Sequence, residues 1–408
     1  MDLSVRLTAP ACQARSLGLP VSRTCYAADC RPARQTSTAD DTRLPSPKFE
    51  SSTRSGASAR LTRAGHDNVA MRLLVLGGTR FVGRATVSAA IEAGWEVTTF
   101  NRNQSAPPVT GAKAVNGDRT NPGDLTRLAD AGPWDAVVDT SGYVPRNVLA
   151  VATALKDCTM RYLFVSTVSV YKDWPVNPLS EGSAILQCPP DADTNFGEDV
   201  ENGPTKYGYQ KAGCEAAVHA VFGGRRSIIL RPGVILGPRE YVGRLPWWLR
   251  RVTIGGQIVA PGTPHRAIQP VDVRDFADFA ISACHRGLTD IFNVTAPVGS
   301  TTFGELLRIC AEVTNSQPNF VWVPDVKLIE LGIRQWSEMP LWRVHTGVWN
   351  VDSSRAVAAG LRCRHLSETV RDTWRWMLES VDSEGDERAS EIGLSPERER
   401  KILAALIN

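Results

Sequence analysis

The feature that most constrains this chain is an apolar run that ends directly in a glycine-rich turn. Residues 73–76, LLVL, are typical of a buried strand, and residues 77–83, GGTRFVG, follow at once. Gly77 permits a tight turn, and Gly83 lets the following helix pack close to the sheet. Amide groups at the start of that helix would then face a phosphate. The turn therefore predicts a dinucleotide pyrophosphate site, and a glycine turn with a purely structural role stays open. The predicted cofactor-binding residues of the turn are Gly77, Gly78, Thr79, Arg80, Phe81, Val82 and Gly83.

From Met71 onward, strand patterns alternate with helix patterns, which is typical of a parallel sheet covered by helices. We predict an α/β fold with a Rossmann-type, doubly wound parallel sheet over residues 71–236. The pattern loosens after Gly237, so residues 237–380 are predicted to form mainly a smaller substrate-binding region at the carboxyl ends of the strands. Residues 381–408 are predicted to be a C-terminal linker and helix.

Residues 1–70 differ from the rest of the chain. They are rich in Arg, Ser, Thr, Ala and Pro and show no sustained period of two or 3.6, so we predict a disordered extension. A flexible tail, a transit-like peptide and sequence upstream of the true start are the three interpretations. We favour an upstream or dispensable segment, because Met71 immediately precedes the first strand. An apolar signal-peptide core is absent, which argues against secretion.

Composition argues against several classes of partner. A net charge of +3 is too small to indicate nucleic acid or an anionic membrane surface. No run approaches the roughly 20 apolar residues that span a bilayer. The nine cysteines form no CxxC pair and no metal-ligand spacing. We therefore predict reduced thiols, no metal site and a cytoplasmic location.

The end of the second strand indicates which dinucleotide binds. NAD sites place an acid there to hold the ribose 2′-hydroxyl, whereas NADP sites offer arginine. Residues 100–103 read FNRN, with no acid, so we predict NADP at Asn101 and Arg102, and NAD stays possible. Arg80, which stands where a middle glycine is expected, could crowd the pyrophosphate or bracket a 2′-phosphate with Arg102. A solvated Arg102 is the structural alternative. Asp118 and Arg119 follow the third strand, where a carboxylate could accept from the adenine amino group.

A proton-transfer pair lies further along the chain. Tyr207 and Lys211 are four residues apart in a helix pattern and so share a face. A phenol has an unperturbed pKa of about 10, and a nearby ammonium lowers it. The strand pattern at 162–171, YLFVSTVSVY, ends in hydroxyl residues that could hydrogen-bond the substrate oxygen protonated by the tyrosine. Taken alone, the Tyr-x-x-x-Lys pair is more often a solvated helix face.

In this order the motifs resemble those of the extended, atypical short-chain dehydrogenase/reductase superfamily, and within it the NAD(P)-dependent epimerase/dehydratase branch. Besides the two motifs above, the resemblance rests on Gly117-Asp118, Asp139-Thr140-Ser141-Gly142, LRPGVILGP at 230–238 and VDVRD at 271–275. It implies Tyr207 as general acid/base and Lys211 as the residue that lowers the pKa of Tyr207 and binds the nicotinamide ribose. It implies Thr167, four residues before Tyr171, as the donor to the substrate oxygen. Thr140, Ser141 and Gly142 join the predicted cofactor site.

The segment 239–251, REYVGRLPWWLRR, is expected to contact the substrate. Arginine and tryptophan there suit an anionic or ring-bearing molecule such as a nucleotide sugar. The alternative, which is the more common arrangement, is an amphipathic helix with its tryptophans in the core and its arginines outside. The predicted substrate residues are Ser166, Ser169, Arg239, Arg244 and Trp247.

Together these observations predict an NAD(P)-dependent oxidoreductase that acts on a carbonyl or alcohol of a small molecule. Two alternatives stay open. One is a nucleotide-sugar epimerase or dehydratase, which would recycle the cofactor within one turnover. The other is a dinucleotide-binding regulator without catalysis. The sequence does not determine the substrate, the reaction direction or the oligomeric state, and a homodimer stays open.

The composition of residues 1–70 leads to a first prediction. Deleting them should leave the melting temperature and the cofactor affinity unchanged, because the segment contributes no periodic apolar surface to a core. Thermal unfolding and cofactor titration of the full chain and of a chain beginning at Met71 test this. A large drop in melting temperature on deletion would contradict it.

Overall fold

The computed structural model of the protein describes residues 70–102, 106–201, 203–380 and 392–406. The predicted N-terminal extension lies outside the described residues except for Ala70, and so does the predicted linker over 381–391. The predicted Rossmann and substrate-binding regions are described in full apart from residues 103–105 and 202.

Seven parallel strands form the central sheet. They are β1 (Arg72–Leu76), β2 (Glu96–Asn101), β3 (Lys113–Asn116), β4 (Trp134–Asp139), β5 (Thr159–Val165), β6 (Ser227–Pro232) and β11 (Asp290–Val294). Their order across the sheet is β11-β6-β5-β4-β1-β2-β3, so the winding direction reverses between β1 and β4. Ligands bind in the crevice at such a reversal, outside the carboxyl ends of the strands. The predicted fold class is confirmed.

Eleven helices are present in the described residues. They are α1 (Phe81–Glu92), α2 (Pro122–Asp130), α3 (Pro145–Leu155), α4 (Lys206–Arg226), α5 (Arg244–Ile254), α6 (Val273–Arg286), α7 (Phe303–Val313), α8 (Asp325–Glu330), α9 (Ser354–Ala358), α10 (Leu366–Glu379) and α11 (Pro396–Ala405). The short strands are β7 (Ile235–Leu236), β8 (Gln257–Pro261), β9 (Ala267–Ile268), β10 (Val271–Asp272), β12 (Thr301–Thr302) and β13 (Asn319–Val323). In the described part of the chain, two 3-10 turns cover Val168–Val170 and Thr346–Trp349.

Alternating side chains of the sheet build two cores. Leu73 and Val75 of β1 pack with α1 and α6 on one face. Leu74 and Leu76 pack with α3 and α4 on the other. This alternation follows from the two-residue period of a strand, and burial on both faces explains why β1 is continuously apolar.

A third core lies beyond the sheet and is built mainly by the chain after residue 237. Trp248, Phe303 and Trp342 are fully buried in it, and the long segment before α4 adds Trp174. The predicted division at residue 236 does not separate the two regions cleanly, however. α6 packs on α1, and β11 pairs with β6, so a part of the 237–380 region completes the central sheet. Pairing by β11 covers an edge of β6 that would otherwise expose unpaired backbone groups.

Two general properties of the described residues bear on function. Among them, no helix is long and apolar enough to cross a membrane. Within the same ranges, no group of three or more His, Cys, Asp or Glu side chains is placed to hold a metal ion.

Candidate active site

A cavity of about 1290 Å³ opens at the carboxyl ends of the central strands. Its walls include the β1–α1 turn, the ends of β2, β4 and β5, the start of α4, and residues from the third core. A pocket for one drug-sized ligand measures about 300–1,000 Å³. This cavity is larger, so a dinucleotide and a second ligand could share it.

The glycine turn forms one wall, and all seven of its residues line the cavity. Gly77 and Gly78 have φ of 105° and 93°, which favours glycine. A Cβ on Gly83 would stand 2.6 Å from the Gly78 nitrogen, and one on Gly77 would stand 2.6 Å from Thr140 Oγ1. The backbone therefore approaches closely enough to present the amide groups at the start of α1 to a ligand. These residues fit a dinucleotide pyrophosphate.

The two arginines expected to bracket a 2′-phosphate lie in different surroundings. The Arg80 guanidinium carbon is 5.5 Å from the centre of the Tyr241 ring. Arg102 is exposed at the end of β2 and lines both this cavity and a neighbouring pocket that includes Asp118 and Arg127. Arg80 can stand where glycine was expected because its φ is −124°, an extended value that any residue adopts.

Asp118, which is predicted to bind the adenine, is fixed by local hydrogen bonds. Asp118 accepts from the Thr120 amide at 2.8 Å and from its hydroxyl at 2.7 Å. These bonds lower the pKa of Asp118, so the carboxylate stays ionised at neutral pH and can accept a further hydrogen bond. Asn101 also lines the cavity, and its Nδ2 donates to the Gly77 carbonyl at 3.3 Å.

Arg119 enters a buried network at the floor of the cavity. It donates to the Asp139 carboxylate at 2.7 and 3.1 Å and to Ser141 Oγ at 3.1 Å, and Tyr162 Oη donates to Asp139 at 2.9 Å. Burial alone would raise the pKa of Asp139, but Arg119 and the other donors outweigh it and hold the pKa below its usual range. The network fixes the β4–α3 turn, where Thr140 and Ser141 line the cavity.

Tyr207 is brought to Thr167 by close packing between α4 and the end of β5. Thr205 begins α4 by accepting from the Gly208 amide at 3.1 Å. A Cβ on Gly208 would collide with the Ser169 carbonyl, so only glycine allows this approach. Tyr207 and Thr167 both line the cavity, and the Thr167 hydroxyl is near enough to act on the pKa of Tyr207.

Lys211 lies one turn further along α4 and is almost fully buried. Its Nζ donates to the Gly142 carbonyl at 2.9 Å and to the Val165 carbonyl at 2.5 Å, and it lies 4.2 Å from the centre of the Phe164 ring. Gly142 thus holds the lysine instead of lining the cavity itself. Burial lowers the pKa of Lys211 to about 8.

The pKa of Tyr207 shifts upward, whereas the family resemblance implied that Lys211 lowers it. Although Tyr207 is 45% exposed, that surface faces the cavity, and loss of water raises the pKa of the phenol. Tyr241 beside it raises the pKa further, while Thr167 acts in the opposite direction. The Lys211 ammonium is directed at two backbone carbonyls, which limits its effect on the phenol.

The far wall of the cavity carries two arginines around one tryptophan. The Arg244 and Arg343 guanidinium carbons each lie 5.0 Å from the centre of the Trp336 ring. The Arg343 side chain also lies 4.9 Å from the Trp174 ring centre, and its buried Nε has no hydrogen-bond partner among the described residues. Burial, aided by the like charge of Arg244, lowers the pKa of Arg343 to about 10. This wall is suited to an anion.

Comparison with known proteins agrees with this geometry. The chain matches the NAD dependent epimerase/dehydratase family over residues 73–295. It belongs to this family. The predicted family and enzyme class are confirmed: the protein is an NAD(P)-dependent enzyme of the short-chain dehydrogenase/reductase type.

Several relatives are similar in sequence. The chain is 28% identical over 257 residues to dTDP-6-deoxy-L-talose 4-dehydrogenase (NAD(P)(+)) of Kitasatospora kifunensis, covering 56% of this chain and 75% of that enzyme. It is 23% identical over 257 residues to the chloroplast stem-loop binding protein of 41 kDa b of Arabidopsis thaliana, covering 59% and 62%. It is 28% identical over 183 residues to 2′-dehydrokanamycin reductase of Streptomyces kanamyceticus, covering 44% and 46%. The chain thus spans less than two thirds of the second and third relatives.

Solved structures share the fold. The Bordetella bronchiseptica enzyme WbmG in complex with NAD superposes with a TM-score of 0.57 at 19% identity, covering 78% of this chain and 96% of that chain. UDP-glucose 4-epimerase of Thermotoga maritima with UDP-glucose gives a TM-score of 0.55 at 18% identity, covering 76% and 100%. At these identities the likeness supports the fold.

Some of the predicted substrate residues line the cavity and others do not. Ser166, Ser169 and Arg244 line the cavity. Arg239 and Trp247, although described, are not among its lining residues. Trp247 packs edge-on against Trp248, with ring centres 4.7 Å apart, beside the third core. This is the arrangement that the amphipathic alternative predicted for the tryptophans, because the apolar side of α5 packs on that core.

Sequence reasoning missed a buried ion pair behind the hydroxyl residues. Arg231 donates to Glu215 at 2.9 and 2.6 Å, and Ser166 Oγ donates to the same carboxylate. Both charged side chains are almost fully buried. Glu215 follows Lys211 by four residues, as Lys211 follows Tyr207, and this repeat was the signal that could have revealed it.

This pair generates a stability prediction. Glu215→Gln should lower the free energy of unfolding by about 3–5 kcal/mol, because it leaves Arg231 charged and uncompensated in the interior. The matched control is Glu312→Gln, which breaks an exposed ion pair with Arg308 and should cost at most about 1 kcal/mol. Denaturant unfolding measures both. Equal effects of the two substitutions would contradict the prediction.

Proposed function

We propose that this protein is an NADP-preferring reductase or dehydrogenase that acts on a carbonyl or alcohol of a small anionic molecule. The observation that carries the proposal is the placement of Tyr207 and Thr167 on the wall of the cavity that also holds the glycine turn. A proton donor, a holder for the substrate oxygen and a dinucleotide cradle therefore face one space.

Different cavity residues would bind different parts of the cofactor. The amides of the glycine turn would hold the pyrophosphate, and Asp118 would accept from the adenine amino group. Thr140 and Ser141 would lie along the dinucleotide between its two ends. Arg102 would pair with a 2′-phosphate, which is why we favour NADP.

The chemistry requires a hydride and a proton. When bound, the nicotinamide supplies or accepts the hydride. Tyr207 moves the proton at its Oη, and Thr167 holds the substrate oxygen by its hydroxyl. The Tyr207 phenol keeps its proton at neutral pH, as an unperturbed phenol does, and can therefore donate it to a carbonyl oxygen. Lys211 would hold the nicotinamide ribose from its buried position.

The anionic character of the substrate is inferred from Arg343, because its neighbour Arg244 is already paired with the Glu240 carboxylate at 3.5 Å. Both line the cavity, and burial of Arg343 makes its charge costly without a counterion. An anionic group of the substrate would compensate that charge, and the indole planes of Trp174 and Trp336 would give a flat surface beside it.

The second candidate is a nucleotide-sugar epimerase or dehydratase. The size of the cavity favours it, because a nucleotide sugar is larger than most carbonyl substrates and needs room beside the cofactor. The structure of the Thermotoga maritima neighbour contains UDP-glucose. Mass spectrometry after native purification distinguishes the two: a cofactor retained in the protein favours the epimerase, and one that exchanges freely favours the reductase.

The proton donor can be tested directly. Tyr207→Phe should lower turnover by roughly 10²–10⁴, the usual contribution of a positioned acid or base, while cofactor binding persists. Turnover is measured with NADPH on a carbonyl substrate found by screening the wild-type protein. Tyr209→Phe is the matched control, because Tyr209 is two residues away and does not line the cavity. Near-normal turnover of Tyr207→Phe would remove Tyr207 from the mechanism.

Cofactor choice gives a separate prediction. A charge-assisted pair between Arg102 and a 2′-phosphate is worth about 1.5–3 kcal/mol, so the wild type should prefer NADP by roughly ten- to a hundredfold. Arg102→Asp should invert this preference, because it repels the phosphate and accepts from a 2′-hydroxyl. Arg102→Met is the control and should weaken NADP without improving NAD. Equal or tighter NAD binding by the wild type would overturn the NADP assignment.

A further inference from the structure

Arg80 departs from the glycine pattern of the turn and contacts a residue from the opposite wall. Its guanidinium carbon lies 5.5 Å from the centre of the Tyr241 ring. Tyr241 belongs to the substrate loop, defined as residues 237–243 between β7 and α5. Both residues line the cavity. A contact therefore joins the dinucleotide turn to the loop that leads to Arg244.

Phe81, the next residue, contacts the same tyrosine. The Phe81 and Tyr241 rings meet edge to face with centres 6.3 Å apart. Phe81 has φ of 28°, a left-handed value that costs a bulky residue free energy. Two consecutive side chains of the turn thus converge on one residue of the substrate loop.

Tyr241 also lies close to Tyr143, which in turn lies close to the proton donor, Tyr207. Burial and the neighbouring Tyr241 raise the pKa of Tyr143, and the Tyr143 and Tyr207 ring centres are 6.4 Å apart. The preceding residue, Glu240, is fully buried and accepts from the Arg244 and Leu245 amides at 3.1 Å each. Tyr241 therefore stands on a firmly anchored part of the loop.

An arginine can stack on a ring and donate to a phosphate at the same time, because its planar group leaves its N–H edge available. The turn that carries Arg80 is the predicted pyrophosphate cradle, so a guanidinium there would lie near the two negative charges of that group. A pyrophosphate is common to NAD and NADP. An arginine that acts on it affects both cofactors equally, unlike one that binds a 2′-phosphate.

We infer that Arg80 and Tyr241 form a clasp over the cofactor, in which Arg80 binds the dinucleotide pyrophosphate and Tyr241 positions the guanidinium from the substrate loop. The inference rests on the cofactor binding in the proposed function. It assigns Arg80 to the pyrophosphate and leaves the 2′-phosphate to Arg102. Tyr241 is a positioning residue, because it acts through Arg80.

The test measures binding of NADPH and of NADH to the full chain by quenching of tryptophan fluorescence. Arg80→Met should weaken both nucleotides by the same factor, roughly ten- to a hundredfold. Tyr241→Leu should weaken both by about three- to tenfold. Tyr241→Phe keeps the ring and should bind both as the wild type does. Arg84→Met is the matched charge control, since Arg84 lies on α1 but not on the cavity wall, and should change neither affinity.

The double variant tests the link between the two residues. With Arg80 absent, Tyr241→Leu should add no more than about a twofold loss. Losses that multiply, a loss for NADPH alone, or equal losses in Arg84→Met and Arg80→Met would each overturn the clasp while leaving the proposed function standing. A wild-type chain that binds neither nucleotide would overturn the proposed function and the clasp with it. Melting temperatures of all variants confirm that the compared proteins are folded.

Discussion

The close approach of backbone to backbone beyond the carboxyl ends of β1 and β5 is the constraint on which the rest of the site depends. Gly83 lets α1 pack against the turn at Gly78, and Gly208 lets α4 pack against the Ser169 carbonyl. A side chain at either glycine would move a helix away from the sheet. The first contact positions amide groups for a dinucleotide, and the second brings Tyr207 to Thr167. The same need for close packing thus supports both the cofactor-binding turn and the placement of Tyr207 beside Thr167.

Burial controls the charges that surround this packing. Asp139 stays ionised in the interior because Arg119 and Tyr162 donate to it. Lys211 has two carbonyl acceptors, yet burial still lowers its pKa to about 8. Arg343 has a desolvated charge on the cavity wall and a pKa of about 10. The floor of the cavity is therefore neutralised within the chain. On the far wall Arg244 is paired with Glu240, and the charge of Arg343 is left for a ligand to compensate.

The parts of the fold that the sequence predicted are those encoded in contiguous residues. The apolar run of β1, the glycine turn and the four-residue spacing of Tyr207 and Lys211 are local signals. Contacts between distant segments were not predictable in the same way. Nothing near Arg80 indicates Tyr241 as its partner, and nothing near Arg244 indicates Arg343. The sequence of α5 likewise contains two tryptophans, but nothing in it shows that they pack on the third core. The sequence alone therefore predicts that Trp247 contacts the substrate.

The most direct test of the central claim is a crystal structure of the protein grown with NADP. The account predicts the pyrophosphate on the amides of the glycine turn and the nicotinamide ribose within hydrogen-bond distance of Tyr207 Oη and Lys211 Nζ. The nicotinamide ring should lie beside Thr167, on the cavity side of β5. A dinucleotide bound elsewhere, or one whose nicotinamide points away from Tyr207, would contradict the claim that one cavity holds both the cofactor and the proton donor.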